Sequence, residues 1–398
     1  MKRICFLVND NLYNSKRHFA RCLVEGLEEH GIKILTIDLG GGALEVEHIK
    51  TLHKWGPELT CSFSSISSLP DGKFIWDHLR IPHLFILVDP PIFYMQFIKS
   101  PYTIISCVDR KDCAFLDHAN FDTNFFLPHG VDQKWAEAKV EGDRPYDVVL
   151  LGSCYDHESL RLSWEKNIPK PYWEVIERSI ATVFSEPHTS MPEALVRAIN
   201  ETGVDPRGAN LITLSIYIDN YLRGFDRLEV IRAIRSAKVH VFGNLYWDEV
   251  GRLKEWKDYL HGHDNIIVHE PVPYDEIFGV LKKAKISLNS TPFFKDGSHE
   301  RVFNGLAAGC ALITNENMYL REQFSSSEGV LFYRHDKREE VEGLVRHWLD
   351  DESYRREAAL RGKQKVLENH TWQKRAEELL SKLPNMLSKI QTKTAPKM

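Results

Sequence analysis

Short β-rich apolar runs alternate with amphipathic helical segments along almost the whole chain, and no other feature limits its fold as strongly. Strands separated by helical crossovers pair in parallel, and a parallel sheet needs helices on both faces. The first unit sets the pattern. Residues 4–8 read as a buried strand, Phe19, Leu23 and Leu27 recur at helical spacing, Gly31 is placed to end that helix, and residues 32–38 read as the next strand. Further strands are expected at 59–63, 84–88, 103–108 and 125–127. The polar stretch EGDRPY (141–146) then reads as a linker. A second series follows at 148–151, 239–242, 266–269, 286–288, 311–313 and 330–332. Residues 155–235 are too long for a plain crossover and carry helical patterns, so they read as a helical insertion. At 398 residues the chain exceeds what one core usually holds. The expectation is an α/β protein with two doubly wound domains, 1–140 and 145–365, facing a cleft where such folds bind ligands. A helix over 366–385 would follow, and the basic stretch 386–398 reads as a disordered tail.

Composition excludes several classes. A net charge of −5 gives no reason to expect nucleic-acid binding, and no run of about 18 apolar residues suggests a membrane span. Seven scattered cysteines without a C-x2-C pair fit reduced thiols in a cytoplasmic protein better than disulfides or zinc. Asn9, Asp10 and Asn11 follow the first strand where a dinucleotide-binding chain would carry G-x-G-x-x-G, which argues against NAD there.

The stretch DGSHERVFNGLAAG (296–309) carries the most chemistry. Ser298 is placed as an N-cap and Gly309 as C′, so a helix is expected over 299–308 with its N-terminus at the carboxyl end of a strand. Exposed amides and the helix dipole favour an anion there, such as a pyrophosphate, and Gly297 removes a Cβ that would hinder its approach. Glu300 and Asn304 share a face, Val302, Phe303 and Leu306 point to the core, and Gly305, Ala307 and Ala308 allow close seating on the sheet. An ordinary capped helix of an α/β protein shows the same local features, so both readings stay open on these residues alone.

The same stretch resembles the signature region of GT-B glycosyltransferases, most closely the CgeB-like group and more distantly the retaining enzymes with a Glu-x7-Glu motif. Asp296-Gly297 stands at the first acidic position, Asn304 at the second, and Ala307-Ala308-Gly309 at the Ala-x-Gly; Arg301, Phe303 and Gly309 match the CgeB-like form. Asn304 departs from both patterns, because the family residue is a Glu that accepts hydrogen bonds from a nucleotide ribose. FLPHGVD (126–132) resembles the Asn-Gly-Val-Asp turn that ends the first domain, with His129 before the Gly. VVLLGS (148–153) resembles the glycine-ended first strand of the nucleotide domain. VHVFGN (239–244) and HEPVPYDEIFGVLKKAKISLN (269–289) resemble the segments holding the base, which implies Gly243 and Tyr274. HTWQKR (370–375) resembles the segment that leads the last helix back onto the first domain.

The resemblance implies two Rossmann-like domains and a metal-independent, retaining hexosyl- or related glycosyltransferase that takes a nucleotide-diphosphate sugar and needs no further cofactor. The amides of Gly297, Ser298 and His299 and the charge of Arg301 would hold the diphosphate, with Glu300 beside them; Asp296 would bind the donor sugar and Asn304 the ribose. No Asp-x-Asp pair that would hold a metal on the diphosphate is present. Arg223, Arg227 and Lys295 are further phosphate candidates, or ordinary surface cations.

In the first domain Asp89 ends a strand and precedes two prolines that should bar a helix start, so its carboxylate is a candidate to bind or activate the acceptor; a loop-capping Asp is the alternative. His129 either orients a sugar phosphate or caps its turn. The run PIFYMQFI (91–98) reads as core, an acceptor pocket or a peripheral membrane contact. The acceptor itself, whether protein, glycan, lipid or small molecule, is not encoded in any motif. An epimerase acting on sugar nucleotides and a degenerate sugar-nucleotide-binding protein are the rival readings.

Overall fold

The computed structural model describes residues 2–63, 66–69, 71–243 and 254–395. The chain forms two compact units, Met1–Lys134 with Pro273–Asp275 and Glu368–Met398, and Trp135–Val272 with Glu276–Leu367.

The first unit holds the strands β1 (Arg3–Asn9), β2 (Lys33–Gly40), β3 (Leu59–Ser62), β4 (His83–Ile86), β5 (Thr103–Cys107) and β6 (Asn124–Phe126). They form one parallel sheet in the order β2-β1-β3-β4-β5-β6. β1, β3, β4 and β5 are buried almost throughout, which is why they read in sequence as continuous apolar runs and not as alternating ones. The helix Ser15–Glu29 packs against the helix Trp372–Thr394. A Cβ on Gly26 would stand 3.0 Å from Ala376 Cβ and from Gln373 Cα, so only glycine permits this approach.

That last helix corrects the expected tail. Residues 386–394 are helical, and the chain runs through Pro384 because Leu379, Leu383, Met386 and Ile390 continue a buried stripe on one face. Residues 396–398 of the tail lie outside the described residues. A second correction follows Asp89. Pro91 opens a 3-10 helix over Pro91–Lys99, since a proline at the first helical position forfeits no intrahelical donor. Phe97 in this helix is buried and stacks on Phe85 with ring centroids 4.1 Å apart, so the run packs into the core.

The second unit holds β7 (Tyr146–Leu151), β8 (Val239–Phe242), β9 (Ile266–His269), β10 (Ala284–Leu288), β11 (Ala311–Asn315) and β12 (Val330–Tyr333). Their parallel order is β12-β11-β10-β7-β8-β9. Between β7 and β8 lie four helices, His157–Asn167, Pro171–Ser185, Met191–Thr202 and Leu211–Ala233. The first strand of the sheet is β7, and the chain winds outward from it through β8 and β9 on one side and from β10 through β11 and β12 on the other. The reversal falls between β7 and β10, the topological switch point at which such sheets open a crevice for ligands.

Candidate anion site at the second sheet's switch point

The helix Glu300–Ala307 follows β10 and delivers Arg301 to this crevice. It begins one residue later than the sequence suggests: His299, not Ser298, is the N-cap, and its ring accepts from the Arg301 amide. Gly309 follows the C-cap Ala308 with φ +71°, as the C′ position requires. A Cβ on Gly305 would meet Ser287 Cβ at 2.9 Å, so the helix seats on β10 as closely as a glycine allows. The helix is buried on every face, including Arg301 and Asn304, and it therefore lies inside the unit and not on its surface.

The loop that leads into it is stapled by amide side chains. Asn289 Nδ2 donates to Thr314 Oγ1 at 2.8 Å, the Thr291 amide donates to Asn315 Oδ1 at 2.8 Å, and Asn317 Nδ2 donates to the Phe294 carbonyl at 3.1 Å. These bonds fasten the end of β10 to the end of β11 and satisfy groups whose burial would otherwise be costly.

Three buried guanidinium groups meet at this point. Arg301 donates from Nη1 to the Leu151 carbonyl at 3.0 Å and from Nε to Asn289 Oδ1 at 3.0 Å, spanning the ends of β7 and β10. Arg227 donates from Nη1 to the Ser153 carbonyl at 2.8 Å and lies over the Tyr155 ring at 5.2 Å. Its Nε is buried and meets no acceptor among the described residues. Arg223 donates to Asp219 Oδ2 at 2.7 Å and lies 3.8 Å from the Phe293 ring centroid. Gly152 admits Arg301 and Arg227: a Cβ there would stand 3.0 Å from Arg301 Nη1 and 3.4 Å from Arg227 Nη1. Gly243 in turn admits Gly152, since its own Cβ would stand 2.1 Å from the Gly152 carbonyl oxygen.

Asp219 balances one of the three charges. Burial, then the neighbouring Arg227, pushes the Arg301 pKa down to about 9, and burial followed by Arg223 among other charges lowers that of Arg227. A guanidinium group weakened in this way gains from an anion that replaces lost water. The sequence carries a signal for part of this arrangement, because Asp219, Arg223 and Arg227 are spaced by four and share one face of the helix Leu211–Ala233. Their convergence with Arg301, Asn289 and Tyr155 is a tertiary event.

The remaining candidates divide between the units. Asp296, Gly297, Ser298, His299 and Glu300 line the entry to the helix, with Asp296 and Ser298 buried and the His299 Nδ1 2.6 Å from Glu300 Oε2. Gly243 lies at the end of β8, and Asn244 beyond it lies outside the described residues. Lys295 is fully buried and donates to the Val183 carbonyl at 2.7 Å, where it serves the C-terminal end of the helix Pro171–Ser185. Tyr274 falls in the first unit and not with the second sheet; it is buried against Phe19 and His18, with centroids at 5.2 Å and 5.1 Å. His129 is also in the first unit, 1% exposed, edge-on to Phe19, and its carbonyl accepts from Arg375 Nε at 3.0 Å. Asp89 is one-third exposed after β4, with Lys16 Nζ at 3.9 Å. The first unit also gathers His18, Cys22 and Asp132 within 4.8 Å of one another. Asp132 there accepts from Arg21 Nη2 at 3.0 Å and the Lys134 amide at 2.9 Å, with His18 Nε2 at 3.3 Å. This is a hydrogen-bond node that ties the helix Ser15–Glu29 to the segment after β6.

Solved structures align with the chain along nearly its whole length. Sucrose-phosphate synthase from Thermosynechococcus elongatus aligns with a TM-score of 0.56 at 10% identity, covering 98% of this chain and 100% of that one. HepE from Anabaena, in complex with UDP and glucose, aligns with a TM-score of 0.57 at 9% identity, covering 96% and 100%. A glycosyltransferase from Rickettsia africae gives 0.55 at 9%, covering 97% and 98%. The chain has a GT-B fold. Within this GT-B chain, residues 227–381 match the family model described as glycosyl transferase-like. The match begins at Arg227 and includes Arg301, while Asp219 and Arg223 lie before it. No curated protein sequence matches the chain.

Proposed function

We propose that this chain is a cytoplasmic glycosyltransferase of the CgeB-like group that moves a sugar from a nucleotide-diphosphate donor to a hydroxyl-bearing acceptor. The observation that carries the reading is the convergence of Arg223, Arg227 and Arg301 at the switch point of the second sheet, beside two glycines that let backbone and guanidinium groups approach. A diphosphate is the anion that this charge and geometry suit, and UDP is bound in the Anabaena neighbour. As the glycosidic bond breaks, negative charge builds on the departing diphosphate. Guanidinium groups fixed beforehand stabilise that charge without reorganising, and they take the part that a divalent ion plays in metal-dependent transferases.

The other roles follow from the motif resemblance. The amides of Gly297, Ser298 and His299 face the diphosphate, Asp296 binds the donor sugar, Asn304 meets the ribose, and Gly243, at the end of β8, stands beside the base. Asp89 of the first unit serves the acceptor. Transfer proceeds with retention, in keeping with the Glu-x7-Glu enzymes that the motif resembles. A thermal-shift panel of nucleotide-diphosphate sugars, followed by NMR of the anomeric product, tests the reading. Stabilisation by one donor and a product of unchanged anomeric configuration are expected. If no nucleoside diphosphate or its sugar raises the melting temperature, the reading is wrong; if donor is consumed without transfer, an epimerase is indicated instead.

A further inference from the structure

We infer that Asp226 is a positioning residue for the anion site, holding Arg227 and Arg301 in register through Ser290; the inference rests on the diphosphate reading of that site. Asp226 is completely buried on the helix Leu211–Ala233. Its Oδ2 accepts from Ser290 Oγ at 2.7 Å and from Tyr333 Oη at 2.8 Å. Its Oδ1 accepts from His335 Nδ1 at 2.8 Å and from Arg338 Nε at 2.6 Å. Four donors fill the capacity of a carboxylate, so this charge is fully engaged inside the protein and has nothing left for a ligand.

The donors come from separate places. Ser290 follows β10, Tyr333 ends β12, and His335 and Arg338 follow it. One carboxylate thereby pins the helix to the carboxyl ends of two strands. Two features make the pin more than glue. Asp226 immediately precedes Arg227 and lies three residues after Arg223, so its anchorage sets where the helix presents both guanidinium groups. Ser290 also faces the other side: its carbonyl accepts from Arg301 Nη2 at 3.4 Å, beside Asn289, whose side chain accepts from Arg301 Nε at 3.0 Å. The hydroxyl of one serine is held by Asp226 while its carbonyl helps to hold Arg301. A carboxylate that touches no part of the ligand thus fixes the spacing between cations supplied by a helix and by a strand-end loop. That spacing is what a diphosphate would read, because its oxygens stand at a fixed separation.

The full-length protein is titrated calorimetrically with UDP, GDP, ADP and dTDP, and the tightest of these serves for the variants. Ser290→Ala should weaken binding by about five- to twentyfold while lowering the melting temperature no more than Tyr333→Phe does, and Ser290→Thr should restore binding to within about twofold. Tyr333→Phe removes a donor from the same Oδ2 without touching an acceptor of Arg301; it should lower the melting temperature and leave affinity within about twofold. Should the alanine variant not fold, Ser290→Cys, similar in size with a weaker donor, gives the same comparison. Unchanged affinity in Ser290→Ala, alongside a clear loss in Arg227→Ala, would overturn the positioning role and leave the anion site standing. Absence of binding by the unaltered protein to all four nucleotides overturns the diphosphate reading itself.

Discussion

Arg301 donates from Nη1 to the backbone oxygen of Leu151 across 3.0 Å, so a guanidinium group delivered by one strand-to-helix loop closes the end of the neighbouring strand. With Nε given to Asn289 and Nη2 to Ser290, Arg301 is a structural tie whatever its part in the proposed anion site. Arg227 has fewer such duties, since Nη1 meets the Ser153 carbonyl and Nε meets no acceptor among the described residues. The two arginines should therefore fail in different ways when removed. Arg301→Ala orphans buried acceptors and is expected to cost about 1–3 kcal/mol of stability as well as affinity. Arg227→Ala relieves repulsion among like charges, so stability should hold or rise while nucleoside-diphosphate binding weakens by roughly 1.5–3 kcal/mol. Denaturant unfolding beside calorimetry separates them; equal losses of stability in both would contradict the division.

Asn304 offers a way to tell the ribose from the diphosphate. It is 1% exposed, one turn beyond Glu300 on the helix that carries Arg301 in its first turn. If its amide meets the ribose, Asn304→Ala should weaken UDP binding by about 1 kcal/mol, roughly fivefold, and leave inorganic pyrophosphate binding as it was. A parallel loss for both ligands would mean that the substitution disturbs the helix and not a ribose contact.

A large part of the fold is legible in the residues because buried parallel strands are written as unbroken apolar runs; each of the twelve runs picked out by that rule contains or overlaps a strand. Gly309 is legible for the same kind of reason, a backbone conformation that a side chain disfavours. The basic stretch 386–398 misleads because its composition reads as a disordered tail, whereas packing of Met386 and Ile390 carries the helix onward to Thr394. Tyr274 misleads because neighbours in sequence belong to the second unit while its ring is buried with Phe19 of the first. The anion site is legible only in halves. The spacing of Asp219, Arg223 and Arg227 marks one helix face, and DGSHER marks a helix start, but nothing local states that residues 227 and 301 meet over Gly152.

Buried imidazoles should make the protein sensitive to acid. His83 is fully buried between Thr60 Oγ1 at 2.7 Å and Ser62 Oγ at 3.2 Å, stacked on Trp76, and burial lowers its pKa from 6.5 to about 3. The unfolded chain then binds a proton that the folded chain refuses throughout that window. Stability contributed in this way is complete above the unfolded value and is lost as pH falls from about 6.5 toward 3, at up to about 1.4 kcal/mol per pH unit. Denaturant midpoints measured between pH 7 and 4 should fall accordingly. His83→Gln, which keeps polar atoms for the two hydroxyls but does not titrate, should flatten the slope even if it lowers stability at pH 7. An identical slope in the variant would assign the acid sensitivity to other groups.

Asp89 offers a test of the proposed division between acceptor and donor roles, because it lies in the first unit while the three arginines lie in the second. Its carboxylate stands after β4, one-third exposed, with Lys16 Nζ at 3.9 Å, an ion pair too long and too exposed to account for stability. A carboxylate so placed can accept a proton or a hydrogen bond from an acceptor hydroxyl, and neither act is needed to hold a nucleotide. Asp89→Asn keeps the shape and some hydrogen-bonding capacity but loses the charge. Transfer should therefore slow by about 10²- to 10⁴-fold if Asp89 acts as a base, or by severalfold if it only orients the acceptor, with donor affinity unchanged in both cases. Single-turnover transfer measured beside calorimetric donor binding distinguishes the two. A variant that transfers at the original rate would remove Asp89 from the reaction, and one that loses donor binding would contradict a role confined to the acceptor.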